Sequence, residues 1–317
     1  MRIVVEEFAE PGEVTAAVDP SRLEIIPTGP GQFSDKFVSL DLPRLTLRSF
    51  RESLPRLAHV TRPPDRAYIG FLPDEACGAV VVDGLDVDVG AIVQFGSTRD
   101  SIHRSFARTG WANLSVSHSD LDALNSGLDG NDLAAGAAPR LLLPSKARMH
   151  TLRSLHARAI ALATDSPDFL AEPELVRSVE DSVVEALIDC LTGLEQRRQS
   201  PAQLRHTKVL ARFREFLEAN MDRPLYLPEV CAAVGVSHRA LSYCCHDFLG
   251  MPPKRYFFLR RMHMARRALV EEEPRSATVT EVATRHGFWE FGRFAVQYKT
   301  LFGELPSATL RRRGAKE

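Results

Sequence analysis

The side chains with most to offer chemically lie in two short stretches near the C-terminus. In the first, Leu241, Cys245 and Leu249 recur at four-residue spacing, so a helix there leaves His238, Arg239, Ser242, Tyr243 and His246 on its other side. Arg239 carries a planar fork of donors matching the O6 and N7 acceptors of guanine, Ser242 can donate or accept, and Tyr243 can meet a thymine methyl or a phosphate. The second stretch offers Gly292, Arg293, Val296 and Gln297. Arg293 is its main candidate for a base edge; Gly292 has no side chain to read with, and Val296 makes only apolar contacts. The first stretch is therefore expected to supply more sequence information and the second more positioning. Solvated surface with no partner is the alternative for both.

Both stretches belong to one unit that occurs twice. Val230-Cys231-Ala232-Ala233-Val234-Gly235-Val236 aligns with Val282-Ala283-Thr284-Arg285-His286-Gly287-Phe288, and Leu241, Cys245, Leu249, Gly250 and Pro253 align with Phe294, Tyr298, Phe302, Gly303 and Pro306 one residue out of step. Each copy reads as helix, turn, helix. Pro228 suits a first helical turn, Thr278 and Glu281 have capping-box spacing, and Ser237 can cap the helix that follows it. Gly235 and Gly287 stand where the chain must reverse, a place that favours positive φ. Between the copies, Tyr256, Leu259, Met262, Met264 and Leu269 alternate with Arg255, Arg260, Arg261, Arg266 and Arg267, which predicts a long basic helix holding the units apart. Arg255, near its start, is expected to position a phosphate. Val209, Leu210, Phe213, Phe216 and Leu217 predict one more amphipathic helix before the first copy.

Charge divides the chain in the same place. From Leu204 onward there are 20 Lys and Arg against 12 Asp and Glu, and before it 20 against 29, although the whole chain nets only −1. A basic C-terminal third on an acidic remainder suits a nucleic-acid module joined to a part that avoids nucleic acid, with a solvated basic face as the alternative. Arg311, Arg312 and Arg313 read as a solvated tail. With 317 residues, 44% of them apolar, there is material for two cores. No apolar run reaches the length of a membrane span, so a cytoplasmic protein is expected. Cys77, Cys190, Cys231, Cys244 and Cys245 are odd in number and lack CxxC spacing, which argues against a disulfide framework and a zinc site. One of the adjacent pair Cys244 and Cys245 is expected to point inward.

The N-terminal part reads as β-structure from about Gln32 to Arg140. Asp83-Gly84 sits between Ala79-Val80-Val81-Val82 and Leu85-Asp86-Val87-Asp88-Val89, a hairpin signal, and Ile92 to Phe95 and the alternation of Ala112, Leu114 and Val116 add strands. Gly127 to Pro139 reads as a loop. Helical periodicity follows, with stripes at Leu152, Leu155, Ala159 and Leu162 and at Leu175, Val179, Val183, Leu187, Leu191 and Leu194. The second stripe either faces its own core or forms a dimer contact. Gln196 to Pro201 is polar and ends in proline, as a linker would. The expected fold class is α+β, with a β-rich domain over 1–145, a helical linker or dimerisation region over 146–200, and an all-α domain over 204–317. His59, His103 and His118 stand apart, without the spacing of a metal-dependent enzyme, so no catalytic residue, metal or cofactor is expected. Arg99, His103, Arg104 and Arg108 make a basic patch that could bind an anionic effector.

Over roughly Val209 to Leu310 the motifs resemble the AraC/XylS family of bacterial transcriptional regulators. Gly287-Phe288-Trp289-Glu290-Phe291-Gly292-Arg293-Phe294 and Leu241-Ser242-Tyr243-Cys244 are similar to the subgroup containing the ethanolamine-operon regulator. The departures are Cys231 where alanine is usual and Cys245 where a large aromatic is usual. The resemblance implies two recognition helices in successive major grooves of promoter DNA, contact with RNA polymerase, a homodimer, and a cupin-like barrel or sandwich sensing a small-molecule effector. Competing expectations are an architectural DNA-binding protein without an effector, and an enzyme or storage domain carried on a DNA anchor.

Overall fold

The computed structural model describes residues 1–18, 21–96, 100–120, 138–191, 195–220, 225–272 and 277–312. The chain divides into two units, Met1–Ile25 with Phe33–Pro201, and Ile26–Gln32 with Ala202–Glu317. Among the described residues no helix is long and apolar enough to cross a membrane.

The first unit is built of antiparallel sheets and helices. Strands β1 (Arg2–Phe8), β3 (Asp35–Asp41), β4 (Leu45–Glu52), β6 (Arg66–Phe71), β9 (Ile92–Gln94), β11 (Thr109–Ser117), β12 (Arg140–Leu143) and β13 (Glu195–Arg198) form a sheet in the order β1-β3-β4-β11-β6-β9-β12-β13. A second sheet runs β2-β5-β10-β7-β8, from Arg22–Pro27, Arg56–Thr61, Asp100–Ser105, Val80–Val82 and Leu85–Val87. The Asp83-Gly84 hairpin forms as its residues dictate: Val82 pairs with Leu85, and both turn residues have positive φ, at 47° and 80°.

Alternation along the large sheet creates two cores. Leu45, Leu47, Ile69, Phe71, Ala112 and Leu114 face one way and join the buried faces of helices α2 (Lys146–Asp165) and α3 (Pro173–Leu191). A preceding short helix, α1, spans Pro11–Ala17. Phe37, Phe50, Tyr68 and Trp111 face the other way, into a core shared with Leu23, Ala58, Val80 and Val82 of the small sheet. Truncating a fully buried leucine such as Leu47 or Leu152 to alanine would cost about 2–5 kcal/mol.

Two expectations about the middle of the chain give way here. Val183, Leu187 and Leu191 are buried in the chain's own core, with Leu175 and Val179 half-buried. The stripe offered as a dimer contact is thus occupied within one chain, and Leu194 lies outside the described residues. Arg44 ties the outer side of α3 to the β3–β4 turn: its Nε donates to Glu180 Oε2 at 3.0 Å and its Nη2 meets Asp181. The polar stretch expected as a linker is partly strand, since Glu195–Arg198 pairs antiparallel with Arg140–Leu143, and Gln199 Nε2 donates to Asp83 O at 2.6 Å. The expected loop Gly127 to Pro139 lies outside the described residues except at its end.

The second unit is helical: α4 (Pro201–Glu218), α5 (Leu227–Val234), α6 (His238–Leu249), α7 (Pro253–Glu271), α8 (Val279–Arg285), α9 (Phe291–Phe302) and α10 (Pro306–Arg312). The segment Ile26–Gln32 packs with them: Pro27 O accepts from His263 Nε2 at 2.9 Å and Gly31 N donates to Leu301 O at 3.1 Å. All five cysteines are free and buried, so both Cys244 and Cys245 point inward rather than one of the two. Burial raises the Cys245 thiol far above its ordinary range.

Candidate nucleic-acid interface

Each half of the repeat is a short helix, a left-handed glycine and a second helix. Pro228 lies in the first turn of α5, and Gly235 closes it at φ 73°, its N–H donating to Cys231 O and Ala232 O. Ser237 then caps α6, accepting from Ala240 N at 3.2 Å. In the second copy Thr278 and Glu281 exchange capping-box bonds at 2.7 and 3.2 Å, and Gly287 turns the chain at φ 76°. Gly250 and Gly303, also left-handed, end α6 and α9 at equivalent places. Local chemistry thus sets the start and stop of four helices.

Burial then decides which face each helix offers. Helix α6 buries Leu241, Cys244, Cys245, Phe248 and Leu249, leaving His238, Arg239, Tyr243 and His246 exposed and Ser242 half-buried. These five share one face at three- and four-residue steps. Tyr243 is 65% exposed while its ring edge rests 5.3 Å from the His206 ring of α4, and His206 Nδ1 lies 3.0 Å from Asp247 Oδ2. The backing helix α4 therefore holds the exposed face of α6 from behind.

Helix α9 buries Phe294, Tyr298, Leu301 and Phe302 and exposes Gly292, Arg293 and Val296, with Gln297 half-buried. A Cβ on Gly292 would meet nothing within 4 Å. Three neighbours that residue type alone did not single out share this surface: Trp289 at 68% exposure, Phe291, and Glu290, whose carboxylate lies 3.5 Å from Arg293 Nη1. The signal available in the sequence was three bulky or charged residues preceding a helix whose apolar positions begin only at Phe294. The second surface is flatter and more apolar than the first.

The basic helix α7 differs from its expected role. Arg255 is exposed, 5.2 Å above the Phe258 ring, where a phosphate could reach it. Further along, the arginines are structural. Arg261 Nη1 donates to Gly287 O at 3.2 Å with its guanidinium 5.0 Å over Phe288, and burial lowers its pKa. Arg266 pairs with Glu304 at 2.9 Å and lies 4.8 Å over Phe302. The helix grips the turn and the second helix of the distal motif rather than only spacing the two motifs.

The residues expected to hold an anionic effector do not form one patch. Arg99 lies outside the described residues. His103 faces the interior between the sheets, whereas Arg104 points the other way along β10, with its guanidinium 4.6 Å over Phe106. Arg108 lines a separate groove with Lys36, Arg51, Asp74 and Cys77.

A family described as a helix-turn-helix domain matches residues 230–312. The chain is 43% identical over 97 residues to the probable thc operon regulatory protein of Rhodococcus erythropolis, a stretch covering 31% of this chain and 29% of that protein. It is 37% identical over 102 residues to the XylDLEGF operon transcriptional activator 1 of Pseudomonas putida, covering 32% and 31%. A solved structure, a probable AraC family transcriptional regulator from Rhodopseudomonas palustris, is 31% identical over 33% of this chain and 95% of its own, with a TM-score of 0.30. The chain thus spans under a third of the length of these two curated relatives.

Proposed function

We propose that this chain, whose C-terminal domain is a helix-turn-helix domain of the AraC/XylS family, is a sequence-specific DNA-binding transcriptional regulator controlled by a small-molecule effector. The observation that carries the reading is the duplicated geometry: two capped helices, each backed by its own core and each presenting exposed side chains, with arginine at the base-reading positions of both. Arg239 and Ser242, with His238, Tyr243 and His246 beside them, read base edges from the first motif. Arg293, Val296 and Gln297 contact the second site around Gly292, and Arg255 neutralises a phosphate. On this reading the chain is a non-enzymatic cytoplasmic protein that meets RNA polymerase at a promoter and acts as a homodimer. An architectural binder without an effector is the second reading; the polar interior of the first unit favours the effector.

The test is binding of the full-length chain to a random duplex pool and to the selected sequences across a salt series. A selected motif with two separate elements supports the proposal. The affinity should also fall by about 0.9 log unit per decade of salt for each phosphate neutralised. Salt-dependent binding without any sequence preference would support the architectural reading, and no binding would overturn both.

A further inference from the structure

Between the two sheets of the first unit lies a cavity whose charges do not balance. Arg48, Arg56 and Arg62 line it, and the carboxylate of Glu52 is their one acidic neighbour on its wall. Arg56 is satisfied there: its Nε donates to both Glu52 oxygens at 2.7 and 2.9 Å, with both side chains buried. Arg62 is equally buried, at 6% exposure, yet its hydrogen bonds go only to neutral groups, Ser101 Oγ at 2.9 Å and His103 Nε2 at 3.1 Å. Its guanidinium lies flat on Phe95, 3.5 Å from the ring centre. Asp83 and Asp100 act on it only through space, beyond ion-pair range, and burial lowers its pKa to about 10.

A guanidinium held out of water without a counter-charge is expensive, costing on the order of several kcal/mol. The neighbours prepare it for one. Arginine has no acceptor, so His103 must turn a lone pair toward it. Burial, reinforced by Arg62 and Arg56, holds His103 well below its ordinary pKa, so the ring stays neutral and orients the fork without adding charge. Trp111, Phe50, Val60 and Leu23 supply apolar walls. The space measures about 50 Å³, room for roughly three to five waters, which excludes sugar phosphates and nucleotides.

We propose that this cavity binds a small organic carboxylate, with the Arg62 fork receiving the carboxylate and Trp111 and Phe50 packing against its short-chain or single-ring apolar body. The site deepens the effector reading above and rests on it for its regulatory meaning, while binding itself is independent of DNA. A planar fork matches a carboxylate with two parallel hydrogen bonds, and the low dielectric of the interior strengthens them.

The experiment is calorimetric titration of the full-length chain with propionate and benzoate, their neutral amides, and inorganic phosphate. Carboxylates should bind one per chain, at least tenfold more tightly than the amides or phosphate. Arg62→Met should lose at least tenfold in carboxylate affinity while its unfolding midpoint holds or rises, because an uncompensated buried charge has been removed. Arg62→Lys, which keeps the charge and loses the fork, provides the same comparison if the methionine variant fails to fold, and should also weaken binding. Arg104→Ala, on the outward face, should bind like the unaltered chain. Equal binding of acid and amide, equal binding of phosphate, no binding at all, or unaltered affinity in the folded Arg62 variants would each overturn the proposal. DNA binding measured on the same preparations separates the two readings: DNA binding without carboxylate binding sinks only this site, and the converse sinks only the regulator.

Discussion

Trp111 lies so close over Gly70 that a Cβ built on the glycine would stand 2.3 Å from Cζ2 of the indole. The contact sets the depth at which the indole sits in the wall of the inter-sheet cavity. Gly70→Ala must push the ring aside and should destabilise the first unit by about 1–3 kcal/mol. Trp111 and Trp289 are the two tryptophans of the chain, so a Trp289→Phe background makes Trp111 the only indole emitter. Urea unfolding followed by that emission should show a lower midpoint and a shifted folded-state spectrum; an unchanged midpoint would mean the wall yields freely.

Reading and positioning should separate cleanly in the DNA-binding unit. Arg239→Ala removes an exposed donor fork and should cost about 1–3 kcal/mol, relaxing preference at one or two base pairs in each site. Arg255→Ala should weaken all sequences by similar factors and make the salt slope shallower by about one phosphate contact. Selection from a random duplex pool compares them. Should Arg255→Ala alter the selected motif while Arg239→Ala leaves it intact, the roles assigned to the two arginines are reversed.

Glu290 and Arg293 form an exposed pair at the start of α9. Glu290→Gln removes a negative charge from a surface meant for phosphates and frees Arg293, so affinity at low salt should rise a few-fold. If Glu290 acts through Arg293, the gain should vanish in an Arg293→Ala background, which a double-mutant cycle measures. A gain that persists there would assign the effect to the general field instead.

Acid stability should reflect two buried groups of opposite sense. His156, held between α2 and the large sheet, has its pKa pushed down to about 4 by burial. Its unfolded value is 6.5, so the stability it contributes is whole above pH 6.5 and is lost as pH falls toward 4, at about 1.4 kcal/mol per pH unit. His103 acts in the same direction. Asp35 is raised to about 7, first by burial and then by Glu52, so it favours the folded state below pH 3.8 and loses that contribution as pH rises toward 7. The opposing slopes flatten the profile of the unaltered chain between pH 4 and 6.5. Asp35→Asn should steepen the acid-side loss and raise stability at pH 8, read from urea midpoints at pH 4.5, 6.5 and 8. Parallel profiles for the two proteins would contradict the assignment.

What could be read from residues alone follows the range of the physics involved. Caps, left-handed glycines and four-residue apolar spacing act within one or two turns of helix, so the two motifs and the Asp83-Gly84 hairpin were visible in sequence. The interior of the sandwich was not. Arg62 lies 39 residues from Ser101 and 41 from His103, and only strand register brings them together. His103 was singled out, but with sequence neighbours that alternation sends to the opposite face. Strand β13 is polar and lies at the sheet edge, which is why its pattern resembled a linker. Strand β1, largely exposed and also at an edge, carried too little apolar alternation to be seen.

The open space around Gly292 bears on how such a protein can change its targets. Most positions on a recognition helix are committed on one side to packing, so a new side chain disturbs the scaffold that presents it. Gly292 is exposed, touches nothing, and sits one residue before Arg293 within the first turn of α9. Almost any residue there would favour the helix over glycine by roughly 0.5–1 kcal/mol. The preference of the second half-site is therefore open to revision by single codon changes that leave the framework intact, which makes this position a natural point of divergence between duplicated copies.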